Sequence, residues 1–193
     1  SYESLSTKSI YKYDDKGNLI EWNNYKTDYK PLVDFAKEKK LNFIATNIPR
    51  RYASMVFRKD LIALDSLSSE EKSWIAPLPI EFDINLPGYQ SMMQMQGGHA
   101  GDKMPKAQAI KDATMAYFIH KNRKENSVFV HYNGTYHSDN CEGINWYLKK
   151  WDSVVKIITI ATVEQKEVSK LEREHFNKAD FILVIDEDVT KTY

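Results

Sequence analysis

A single cysteine, Cys141, among 193 residues excludes an intramolecular disulfide framework. Net charge is lacking as well. Twenty-seven basic residues balance 27 acidic ones, so no global field draws nucleic acid or anionic lipid. No run approaches the roughly 20 apolar residues that a membrane span requires. There is no phosphate-cradling glycine loop, no Gly-x-Ser-x-Gly elbow, no paired-cysteine zinc pattern and no basic nucleic-acid patch. Internal repeats and low-complexity stretches do not occur. The chain opens at Ser1 without a methionine or a charged-then-apolar leader, as a mature form or a fragment would.

What is present is ordinary in bulk and particular in place. A hydrophobic content of 42% and a charged content of 28% suit a globular chain long enough to bury a real core. Residues 1–30 read as a polar hairpin or linker region, with a turn at 14–18 between two short apolar runs. Residues 31–193 read as one α/β domain. Pro31 opens a helix that carries Leu32, Val33, Phe35 and Ala36 inward. Residues 41–46 look like a buried parallel strand, and Pro49 opens a helix to about Lys59. Ser68 and Glu71 form a capping box. Residues 77–102 read as a long methionine-rich loop of the binding-loop type. A helix follows over about 104–122. Strands at 128–132, 154–163 and 181–185 then alternate with helices at 143–150 and 164–177. Such alternation predicts a mostly parallel central sheet flanked by helices.

Ligands of open α/β sheets sit beyond the carboxyl ends of the strands, and two such ends are unusually polar here. In Ala45-Thr46-Asn47-Ile48-Pro49-Arg50-Arg51-Tyr52, two arginines occupy the first turn of a helix, against the helix dipole. An anion, a carboxylate partner or a ligand propionate would justify them; the alternative is one solvated arginine and one paired with a buried acid. In Asn133-Gly134-Thr135-Tyr136-His137-Ser138-Asp139, Gly134 is expected to take a backbone conformation other residues resist. That turn aims His137, a potential metal ligand or acid/base, over the sheet edge. Asp139 either orients His137 or caps a helix. Gln108, Asp112, Met115, Ala116 and Ile119 share one face of the 104–122 helix. A Gln and an Asp on an apolar stripe need polar partners, which Arg50, Arg51 or His137 would supply, unless that face is a solvated edge. Met92, Met93 and Met95 with His99 read as a soft-metal or haem-contacting lid or, more simply, as gap-filling methionines. His120, His131 and His175 read as structural.

These three pieces, in this order, resemble the ChaN-like haem-binding uptake proteins, also described as iron-regulated lipoproteins, of the Tiki superfamily. The matching residues are Asn47 to Tyr52, Ala107 to Ala116, and His131 to Asp139, with lesser agreement through Gly143-Ile144 and 157–160. The resemblance runs from about residue 22 to the C-terminus. The family has two Gly-x-x-His motifs and an early acidic residue; this chain shows only the second motif, at Gly134–His137. The resemblance therefore implies a divergent member or a domain without its N-terminal part. It implies haem or iron (or another divalent metal) as cofactor, with His137 as metal ligand. Arg50, Arg51, Tyr52, Gln108, Met115, Tyr136, Ser138 and Asp139 would line the ligand site, with Tyr52 or Tyr136 as an axial ligand. It further implies a homodimer, an outer-membrane haem or iron transporter as partner, and an exported protein, periplasmic or anchored to the outer membrane. The wider superfamily supplies an alternative: a metal-dependent hydrolase of peptide or ester bonds, with His137 and Asp112 as catalytic residues.

Overall fold

The computed structural model describes residues 24–95 and 101–192, together with the backbone of 12–13 and 19–20. The chain divides into two compact units, residues 1–45 with 189–193, and residues 46–188.

In the first unit, β1 (Lys12–Tyr13) pairs antiparallel with β2 (Leu19–Ile20), Lys12 facing Ile20. The intervening turn expected at 14–18 lies outside the described residues. A π-helical turn at Tyr25–Tyr29 leads into α1 (Lys30–Glu38), with Pro31 in its first turn, where a missing N–H is tolerated. Only Ala36 of the expected inward face is buried, and Phe35 is 55% exposed. The Leu41 N–H bonds the Ala36 carbonyl at 2.8 Å and ends the helix.

The second unit is organised around α5 (Lys103–Asn122), whose residues from Pro105 to Ile119 are mostly buried. A helix apolar on all sides must be wrapped on all sides. One face packs on α2 (Arg50–Lys59) and the 3₁₀ turn Leu61–Ser66, around Tyr52, Val56, Leu64, Ile75 and Ile110. A second face meets α6 (Ile144–Trp151) through Ala113, Met115, Ile119, Ile144, Tyr147 and Leu148. A third carries α4 (Pro87–Met95) through Tyr89, Met92 and Ala109. The short helix α3 (Ser69–Lys72) begins at the capping box read from the sequence: Ser68 Oγ accepts the Glu71 N–H, and Glu71 accepts the Ser68 N–H. The expected loop at 77–102 thus contains a helix, with Met92 in the core.

The α/β class holds, but the sheet is smaller than the alternation predicts. Strands β3 (Ile160–Gln165) and β4 (Phe181–Asp186) pair in parallel, Ile160 beside Phe181. In β3, Ala161, Val163 and Gln165 point inward, while Ile160 is exposed. The expected helix at 164–177 is replaced by a single 3₁₀ turn, Arg173–His175. The buried side chain of Gln165 explains this. Its amide donates to the Lys170 carbonyl at 2.8 Å and to the Glu167 carbonyl, and it accepts the Glu172 N–H at 3.1 Å. Those bonds satisfy crossover backbone groups that a helix would have paired internally. Residues 41–46 and 128–132 form no strand either. A short apolar run becomes a buried strand only beside a hydrogen-bonded neighbour, and the described residues provide none. Val128 is accordingly 88% exposed and Val130 65%.

Candidate functional site

Asp112 lies near the middle of α5 and is fully buried. Its Oδ1 is 2.5 Å from His137 Nδ1, and its Oδ2 accepts the Tyr89 hydroxyl at 3.1 Å. Both carboxylate oxygens are therefore engaged. Burial nevertheless dominates and pushes the Asp112 carboxyl up to about 6, against the His137 and Tyr89 bonds that favour the anion. Burial and the nearby carboxylate also push the Tyr89 phenol far above its ordinary range, so it stays a donor. Gln108, one turn earlier on α5, places its amide nitrogen 2.7 Å from the same His137 nitrogen and 3.4 Å from the Tyr136 carbonyl. A ring nitrogen offers either one proton or one lone pair. The shorter, charge-assisted contact to Asp112 takes it as Nδ1–H.

His137 is thereby fixed as one tautomer. With Nδ1 committed, its Nε2 lone pair has no hydrogen-bond partner among the described residues, and the side chain is 17% exposed. A carboxylate behind a histidine, with the far nitrogen open, is how metal-ligating imidazoles are oriented and made more basic.

The backbone that delivers His137 is not held in the way the sequence predicts. Gly134 has φ −72° and ψ 153°, values open to any residue, and a Cβ there would touch nothing. Gly143 is the glycine the site requires. It caps α6 at φ 55° and ψ −116°, the first position of a type II′ turn, which glycine dominates. A Cβ at Gly143 would collide with the His137 carbonyl and come within 3.3 Å of Asp112 Oδ2. Between the two, Asn140 and Cys141 also have positive φ. Backbone of that kind costs free energy and persists only where its surroundings enforce it. Here the enforcing contacts include Asn140 N–H to the Lys178 carbonyl at 2.8 Å, and Asn145 to the Ser138 carbonyl at 3.3 Å. Glu142 in turn accepts the Gly88 N–H at 2.7 Å, tying the loop to the first turn of α4.

The other predicted residues separate. Arg50 is exposed, without an ion pair among the described residues, and its charge reaches Lys111. Burial pushes Lys111 below its ordinary range; the Asp112 carboxylate opposes this, and Arg50 adds a smaller lowering. Arg51 instead lies over the Tyr52 ring at 4.5 Å and donates to the Tyr52 hydroxyl at 2.7 Å. Tyr52 is 1% exposed and also donates to Glu71 at 3.0 Å, so its oxygen is spent inside the fold. Met115 is core. Tyr136 is 63% exposed. Ser138 accepts from Asn133 at 2.9 Å, and burial raises the Asp139 carboxyl. His131, read as structural, bonds Thr46 at 2.8 Å and Asn133 at 3.0 Å, and burial lowers its pKa. His99 lies outside the described residues. An open hollow of about 380 Å³ lined by Asp65, Lys72 and residues 76–79 includes none of these groups.

A family model described as haem-binding uptake, Tiki superfamily, ChaN matches residues 6–148. This chain belongs to that family. The match takes in Arg50, α4, α5, the Asp112–His137 pair and most of α6. It starts earlier than residue 22 and stops before β3, so the crossover and the parallel pair lie beyond it. Comparison with curated proteins and with solved structures returned no match. As a member of the haem-binding uptake family, the chain has haem as its family's ligand.

Tyr89 and Glu142 escape the sequence reading, and Lys111 and Gly143 enter it only as part of the family resemblance. Tyr89 was hidden in a segment read as loop. The signal for Gly143 was present, as the glycine directly before the apolar stretch of α6, the usual place for a helix boundary.

Proposed function

We propose that this chain binds haem in a bacterial iron-uptake system, with His137 Nε2 as the iron ligand. The observation that carries the reading is the Asp112–His137 pair, buried at its carboxylate end and with no hydrogen-bond partner at Nε2 among the described residues. The residues present fit the group. Haem supplies an iron that takes an axial protein ligand, for which histidine and tyrosine both serve. Asp112 fixes the His137 tautomer and ring orientation, and Tyr89 holds Asp112 from behind. Exposed Arg50, without an ion pair among the described residues, offers a propionate its guanidinium. Of the two tyrosines considered as iron ligands, Tyr136 is at the surface, where it would be accessible to haem, whereas Tyr52 is enclosed.

One histidine suits an axial ligand better than it suits the hydrolase alternative, whose metal needs about three protein ligands. Among the described residues, no cluster of three metal-ligating groups includes His137. Export to the periplasm or outer membrane as an iron-regulated lipoprotein, delivery to or from an outer-membrane transporter, and haem held between two copies of the chain belong to the same proposal.

Titration of the apo protein with hemin tests it. A Soret shift at one haem per site is expected. His137→Ala should abolish that shift, and Asp112→Asn should weaken binding about 10- to 100-fold, as loss of a partner behind a metal ligand does. Unaltered binding by His137→Ala, with the variant folded by circular dichroism, would sink the reading.

A further inference from the structure

A second group of potential ligands lies beyond the family match, at the 3₁₀ turn Arg173–His175 in the β3–β4 crossover. The carboxylates of Glu172 and Glu174 and a ring nitrogen of His175 lie within 4.8 Å of one another. Both glutamates are exposed, whereas His175 is only 6% exposed. His175 Nε2 is the one buried side-chain polar atom among the described residues with no hydrogen-bond partner. It faces Glu174 Oε1 at 3.7 Å, beyond hydrogen-bonding range. A buried ring nitrogen left unbonded beside two carboxylates is costly as it stands.

The local backbone holds the three groups in this arrangement. The Glu172 N–H is bonded to buried Gln165, and the His175 N–H returns to the Glu172 carbonyl at 3.0 Å. Glu172 and His175 therefore share one rigid turn, with Glu174 between them. On the far side of the ring, the Lys178 ammonium donates to Nδ1 at 3.1 Å. An ammonium can only donate, so this contact keeps the proton on Nε2. Lys178 also reaches Asp139 electrostatically, which gives it a place to go when Nδ1 takes the proton.

We infer that Glu172, Glu174 and His175 form a site for a divalent transition-metal ion of the zinc class, independent of the Asp112–His137 pair. One imidazole and two carboxylates are a borderline donor set that suits Zn²⁺ or its neighbours and leaves a position open to water. Binding requires the His175 proton to move from Nε2 to Nδ1 and Lys178 to withdraw. Lys178 is thus a built-in competitor for the site.

Calorimetric titration of the full chain with ZnCl₂, in a His137→Ala background that removes the imidazole of the first site, tests this. One Zn²⁺ per chain is expected. Glu172→Gln with Glu174→Gln, both at exposed positions, should weaken it at least about tenfold. Lys178→Met should tighten binding in the His137→Ala background but not once His175 is changed to Gln. Should His137→Ala prove unfolded, the His175 imidazole resonances in the wild-type chain replace it and must shift on adding Zn²⁺. No binding in His137→Ala, the same affinity in the double glutamine variant, or unmoved His175 resonances would each overturn the assignment.

Discussion

Replacing Gly143 with alanine tests most directly how His137 is positioned. The perturbation adds one methyl group at a residue with φ 55° and ψ −116°. An L-residue held at positive φ costs about 1–2 kcal/mol. The new Cβ also meets the His137 carbonyl, a backbone atom that cannot swing aside as a flexible side chain would. Overpacking of that kind adds about 1–3 kcal/mol. The sum, about 2–5 kcal/mol, is a large fraction of the roughly 5–15 kcal/mol that holds a domain together. Urea unfolding followed by circular dichroism measures it, and for a chain of this size the melting temperature should fall by roughly 5–15 °C. Gly134→Ala is the paired control. Its backbone suits alanine and its surroundings are open, so reduced freedom of the unfolded chain should stabilise it by about 0.4–1 kcal/mol. Whatever Gly143→Ala protein remains folded should also bind hemin more weakly, because the collision displaces His137 relative to Asp112. A neutral Gly143→Ala, or a Gly134→Ala as damaging as Gly143→Ala, would refute the reasoning.

Two other expectations concern the same unit. Burial raises Asp112 from its ordinary value of 3.8 to about 6; the folded state therefore holds its proton more tightly than the unfolded state. Stability from this group is greatest below about pH 4 and declines as pH rises towards 6, by at most about 1.4 kcal/mol per pH unit. Urea midpoints taken from pH 4 to 7 should show that decline in the wild type relative to Asp112→Asn, where the group no longer titrates. His131, lowered by burial, contributes the opposite slope below about 6.5 in both proteins and cancels in the comparison. Separately, Ser68→Ala removes the side chain that accepts the Glu71 N–H at the start of α3. Thermal melts should show a loss of about 0.5–2 kcal/mol.

Much of the helical frame was legible in advance because its signals are local. Pro31, Pro49 and the Ser68–Glu71 box mark helix starts through backbone chemistry that needs no partner. The pairing of Gln108 and Asp112 with His137 was also foreseeable, since polar groups one turn apart on an apolar helix must meet something polar. The strands were less legible. An apolar run states a preference for burial, but a strand exists only when a second chain segment bonds to it, and residues 128–132 have no such neighbour among the described residues. The crossover likewise lost its expected helix to the inward turn of Gln165, whose side chain takes its backbone partners.

The Gly-x-x-His turn shows the same division. From the sequence alone came the candidate ring, His137, and the helix face that bonds it. That Gly143 rather than Gly134 is the glycine under steric constraint, and that Tyr52 is closed off while Nε2 of His137 has no partner among the described residues, were decided by packing. Glycine is required where two backbones come too close for a Cβ, and that closeness between α6 and the His137 carbonyl belongs to the tertiary structure alone.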